Sequence, residues 1–237
     1  MAKGKPGSSA KERSVLIPVS NLTLEGDLSI PRNAPGLVLF AHGSGSSRNS
    51  PRNRHVARVL RNKGLATLLF DLLTEEEEAE DLISGHLRFN VGLLSTRLIA
   101  ATDWVMKDED TRNLTRGYFG ASTGAAAALI AAAGRPDAVK AIVSRGGRPD
   151  LAGPILSKVR APTLLIVGER DYTVIDMNQD ALNNLRVEKR LVIVPGATHL
   201  FEEPGALEEV ALLSADWFVS HLSSGVSVSL EASGKDQ

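Results

Sequence analysis

The chain has 237 residues, of which 43% are hydrophobic and 23% charged, a balance that suits one globular domain and excludes a wholly disordered, collagen-like or disulfide-scaffold protein. Twenty-seven Lys and Arg against 28 Asp and Glu give a net charge of −1, so no whole-protein field draws nucleic acid or an anionic membrane. Cysteine is absent, which removes disulfides, thiolate metal sites, iron–sulfur clusters and a cysteine nucleophile together.

Residues 1–12 are rich in Lys, Gly and Ser and lack the apolar core of a secretory signal, so they read as a tail of a cytoplasmic protein. A folded domain is expected over 13–222 and a second tail over 223–237, where apolar periodicity fails again. Apolar runs at 14–19 and 22–30 flank Ser20 and Asn21 and suit an antiparallel hairpin. Beyond it, buried-type strands at 37–41, 66–70, 118–119, 138–144, 163–167 and 190–194 alternate with helical stretches at 52–63, 89–107, 123–133, 175–185 and 205–222. A short helix can follow Asp150, and the acidic block 75–78 reads as a solvated run. Strands alternating with helices imply βαβ units, hence an α/β fold with a mostly parallel eight-stranded sheet, an antiparallel start and helices on both faces. The Ala-rich stretch 125–133 is far shorter than the ~20 residues of a membrane span.

In such sheets functional groups gather on loops at the carboxyl ends of the strands. Gly120-Ala121-Ser122-Thr123-Gly124 is a G-x-S-x-G at a strand-to-helix junction, where a sharp turn exposes the serine hydroxyl. That hydroxyl needs a base and an orienting acid, expected in the order acid, then histidine. Gly168-Glu169-Arg170-Asp171 and Pro195-Gly196-Ala197-Thr198-His199 follow two later strands at the same edge. Ser122 could instead merely cap a helix, Asp171 could cap the next one, and Asp176 is a rival acid. Arg145 and Arg148, just after a strand, are candidates to bind an anionic substrate group, against a salt-bridging or solvated role. His42 reads as an orienting residue, and His55, His86 and His221 as solvated. A metal site built from the acidic block and His86 is discounted, because four consecutive Glu cannot all face one ion.

With Ala41-His42-Gly43-Ser44-Gly45, these motifs make the chain resemble the α/β-hydrolase superfamily, in its dienelactone-hydrolase-like branch, from about residue 16 to 222. The resemblance implies an oxyanion hole from the backbone N–H of Thr123 and one from the loop after Gly43, Ser44 first and Gly45 as the other candidate. Dienelactone hydrolases proper carry cysteine where this chain has Ser122, so their lactone substrate does not transfer. Dehalogenases and epoxide hydrolases of the superfamily need an aspartate there. Only residues 145–161 separate two strands between which the superfamily commonly inserts a cap, so no large cap domain is expected.

The combined expectation is a serine hydrolase that cleaves short-chain carboxylic esters through an acyl-enzyme with Ser122, Asp171 and His199, and requires no metal or organic cofactor. Its partner is a small-molecule ester, not nucleic acid or membrane, and its oligomeric state is open. Perhydrolase, thioesterase or lyase chemistry on the same triad, or a non-enzymatic ligand-binding protein with a hydrolase fold, are the alternatives.

Overall fold

The computed structural model describes residues 10–223. Strands β1 (Lys11–Val19) and β2 (Leu22–Ile30) pair antiparallel from Lys11 opposite Ile30 to Val19 opposite Leu22. Ser20 turns between them at φ 52°. β3 (Gly36–Ala41), β4 (Ala66–Phe70), β5 (Thr115–Ala121), β6 (Val139–Arg145), β7 (Thr163–Gly168) and β8 (Lys189–Val194) run parallel to one another, and β2 joins them antiparallel through β4. Among the described residues this makes one eight-stranded sheet in the order β1-β2-β4-β3-β5-β6-β7-β8.

Strand side chains alternate between two apolar cores. Leu37, Leu39, Tyr118 and Ile142 face α3 (Val91–Val105), α4 (Thr123–Gly134) and α5 (Tyr172–Asn184), whereas Val38, Phe40, Phe119 and Val143 face α1 (Pro51–Asn62) and α6 (Ala206–Leu222). Both faces are therefore buried, which is why the central strands are continuously apolar instead of alternating. The crossovers bring the ends of β3, β5, β6, β7 and β8 to one edge, with Ala121 beside Arg145, Arg145 beside Ile166 and Gly168 beside Val194.

Three local departures from the sequence expectation have physical causes. The acidic block is solvated, with Glu75 and Glu76 exposed, but it also opens a helix that apolar periodicity does not announce, α2 (Glu75–Ser84). Thr74 Oγ1 accepts from the Glu77 N–H at 3.2 Å while Glu77 Oε2 accepts from the Thr74 N–H at 2.9 Å, a capping box, and the four acidic residues lie at the positive end of the helix dipole. Helix α5 starts at Tyr172, three residues early, since exposed Tyr172 and Thr173 give no apolar signal. β1 begins at Lys11, so 11 and 12 belong to the sheet; the remaining residues read as tails lie outside the described part, apart from 10 and 223. Between β6 and β7 there is only a 3-10 segment, Pro149–Lys158, interrupted at Gly153, and no large cap domain. Among the described residues no helix is long and apolar enough to cross a membrane.

Candidate active site

Ser122 links β5 to α4 with φ 51° and ψ −122°, a region that costs a non-glycine residue of order 1–3 kcal/mol and persists only where its surroundings enforce it. The enforcement is visible. Its N–H donates to the Arg145 carbonyl at 3.2 Å, and its own carbonyl accepts from the Ala125 and Arg148 N–H groups, each at 3.1 Å. Although Ser122 occupies the cap position of α4, its hydroxyl caps nothing, so the helix-cap alternative does not describe this side chain.

Asp171 and His199 leave the ends of β7 and β8. His199 Nδ1 lies 2.6 Å from Asp171 Oδ2, and the carboxylate is 15% exposed against 39% for the ring. A carboxylate on Nδ1 fixes the proton there and leaves the Nε2 lone pair free to accept another. Asp171 too stands at a helix cap position without capping, its side chain being committed to the histidine. The histidine turn is tied down by Phe201 N–H to Thr198 O at 3.2 Å and by Thr198 N–H to Glu203 Oε1 at 3.1 Å. Gly146, at φ 51°, leaves room for it: a Cβ there would stand 3.1 Å from the His199 carbonyl oxygen and 3.5 Å from its ring. The β6 end thus touches both Ser122 and the His199 turn, whereas Asp176 is exposed on α5.

The loop after β3 closes over the serine. A Cβ on Gly43 would lie 3.0 Å from Ser122 Cβ, and Ser44 Oγ is 3.2 Å from Thr123 Oγ1. The Thr123 N–H, in the first turn of α4, has no carbonyl a turn earlier to bond within its helix. His42 anchors this loop: Nδ1–H donates to the Gly43 carbonyl at 3.0 Å and Nε2 accepts from the Leu72 N–H at 2.9 Å, an assignment that uses both nitrogens of a neutral ring. Burial pushes its pKa below the ordinary imidazole value.

Of the two arginines singled out from sequence, Arg148 is engaged by Asp150 through two bonds of 2.9 and 2.8 Å. Arg145 is buried on the α1 and α6 side, 5.9 Å over the Phe201 ring. Burial, reinforced by the nearby charge of Arg52, pushes its pKa down to about 10. A cleft of about 190 Å³ opens beside the loop, lined by Ser44, Gly45, Leu73, Leu82, Arg88 and Leu94 among others. Arg88 was not legible as a wall residue from sequence, because the helix that aims it, α2, was not expected. Buried Asp81 of α2 accepts from Arg88 Nε at 2.5 Å and from the Leu87 N–H at 2.7 Å. His55 Nε2 lies 2.8 Å from Glu208, His221 Nε2 lies 3.3 Å from Glu188, and His86 is exposed. No three His, Cys, Asp or Glu among the described residues gather as metal ligands would.

A model of the dienelactone hydrolase family matches residues 24–217. The chain is 61% identical to a dienelactone hydrolase from Anabaena variabilis, whose crystal structure it matches with a TM-score of 0.88 over 90% of this chain and 98% of that one. A dienelactone hydrolase-like promiscuous phosphotriesterase from metagenomic libraries, 18% identical, shares the fold at a TM-score of 0.73 over 91% of this chain and 99% of that one. Two curated proteins, from two strains of Mycobacterium tuberculosis, are 54% identical over 212 residues, 90% of this chain, and carry a provisional phosphoribosyl transferase name. The chain spans about half the length of those curated relatives, 47%.

Proposed function

The chain belongs to the dienelactone hydrolase family, and from that premise we propose that it is a serine hydrolase cleaving short-chain carboxylic esters through an acyl-enzyme. The observation that carries the proposal is the 2.6 Å pairing of Asp171 with His199 Nδ1, on a turn that packs against the same β6 end that holds strained Ser122.

In the first half-reaction His199 Nε2 takes the Ser122 hydroxyl proton as Oγ attacks the ester carbonyl; Asp171 stabilises the imidazolium, which then gives its proton to the departing alcohol. In the second, water attacks the acyl-serine by the same proton route and releases the acid. The N–H groups of Thr123 and Ser44, the latter with Gly45 as its rival, would meet the oxyanion, each worth about 3 kcal/mol of barrier. The small-molecule ester would enter by the cleft beside Ser44 and Gly45. No step requires a cofactor.

Serine in place of the family's usual cysteine separates this site from lactone cleavage by a thiolate and leaves perhydrolase, thioesterase and lyase chemistry as variants on one nucleophile. The phosphoribosyl transferase name belongs to proteins about twice the matched length; that second reading predicts pyrophosphate release from 5-phosphoribosyl diphosphate, and a hydrolase predicts none. Turnover of p-nitrophenyl acetate by the wild-type chain, lost in Ser122→Ala, supports the proposal. Equal turnover by the two proteins overturns it.

A further inference from the structure

Arg145 is a costly residue where it stands. It ends β6 on the face covered by α1 and α6, only 7% exposed, with Nε and Nη1 buried and without hydrogen-bond partners. Among the described residues no acid enters its electrostatics, and the one charge that does, Arg52, is of the same sign. A buried cation without a counter-ion is destabilising, and an apolar side chain of similar length would fill the same space without that cost. At neutral pH it still holds its proton, so the charge is present while the protein works.

What the guanidinium has is a ring. It lies 5.9 Å from the centroid of Phe201, within the range of a cation–π contact. Phe201 is two residues beyond His199, fully buried, and held at φ 57°, a conformation in which a bulky side chain is strained. Its N–H closes the turn on Thr198 that carries the histidine. Meanwhile the Arg145 carbonyl accepts the Ser122 N–H, and the next residue, Gly146, packs on His199. One residue therefore grips the serine turn by its backbone and the histidine turn by its side chain.

We propose that Arg145 is a positioning residue, whose guanidinium clamps the Phe201 ring and so holds the His199 turn in register with Ser122. The proposal rests on the triad reading of Ser122, Asp171 and His199. It differs from the sequence expectation in that Arg145 acts on the protein's own loop, not on an anionic substrate group.

The test compares Arg145→Met, Arg145→Lys and Phe201→Leu in the full chain. The first should lower kcat on p-nitrophenyl acetate by about 10- to 100-fold, the range a misplaced catalytic group produces, with KM within about twofold and Tm unchanged or raised. Arg145→Lys should recover most of kcat, and combining Arg145→Met with Phe201→Leu should cost no more than the worse single change, since both remove one contact. The downfield proton resonance of His199 Nδ1–H should move or broaden in Arg145→Met. Wild-type kcat with an unmoved resonance in a folded Arg145→Met overturns the proposal, as does a rise in KM confined to anionic esters with kcat intact, which would mark a substrate contact. If Arg145→Met does not fold, Phe201→Leu decides, and full activity there overturns the clamp. Failure of the triad reading looks different: wild type would not turn over esters at all, and the Nδ1–H resonance would still report on the clamp.

Discussion

At the scale of single residues, the site is built from groups withheld from their ordinary structural work. Ser122 and Asp171 both stand where helices are capped and neither caps; the hydroxyl stays available and the carboxylate is spent on His199. Replacing Ser122 by Ala removes no core packing, so activity and stability should separate. Ester turnover should fall by ~10⁴ or more while the unfolding midpoint stays close to wild type, as steady-state kinetics and thermal unfolding of one preparation would show. Retention of a tenth of wild-type kcat would rule the serine out as nucleophile.

His42 makes a second residue-scale prediction, from pH. Burial holds its folded pKa below the ordinary 6.5. Above that value both folded and unfolded chains carry a neutral ring, and the site costs nothing. As pH falls through 6.5 the unfolded chain binds a proton that the folded ring resists, because protonation would take Nε2 from the Leu72 N–H, so folding stability is lost toward acid. Urea midpoints at pH 7.5 and 5.5 should therefore diverge more for wild type than for His42→Gln. Parallel behaviour of the two would mean that His42 is not a buried neutral acceptor.

At the scale of elements, α2 shows how a helix with almost no buried face is made. Asp81 is its one buried residue, and its ends are set by the Thr74 capping box and by Gly85 at φ 67°. Thr74→Ala should cost about 1 kcal/mol of local stability, roughly a fivefold faster amide exchange over 75–84 if that segment opens locally. It should also weaken the hold of Asp81 on Arg88 at the cleft. Unchanged exchange would show that the cap does not limit opening. The same helix explains where sequence reading stops. Central strands such as β3 and β7 were legible because burial on both faces leaves them apolar throughout, and α4 because its alanines pack against the sheet. Apolar periodicity could not reveal α2, although Thr74-x-x-Glu77 carried the signal. Asp171 and His199 could be picked out by motif and order, and the structure pairs them, whereas the burial of Arg145 and the aim of Arg88 depend on tertiary neighbours that no local pattern encodes.

At the scale of the whole molecule, the sheet delivers the ends of six parallel strands, β3 to β8, to one edge, and the β6 to β7 connection adds only the short 3-10 segment there. With no large cap and a cleft of about 190 Å³, a long acyl chain would lie partly in water and gain only a fraction of the ~0.8 kcal/mol per methylene that full burial supplies. Efficiency across p-nitrophenyl esters should therefore peak at ~2 to 4 acyl carbons; a steady climb to 12 or 16 carbons would demand a deep apolar channel. The most direct test of the central claim is covalent. A fluorophosphonate reports an activated serine irrespective of the natural ester, so after reaction the peptide bearing the adduct should be that containing Ser122, with labelling abolished in His199→Ala. Absence of labelling in the folded protein, or an adduct on any other residue, would contradict a Ser122 nucleophile.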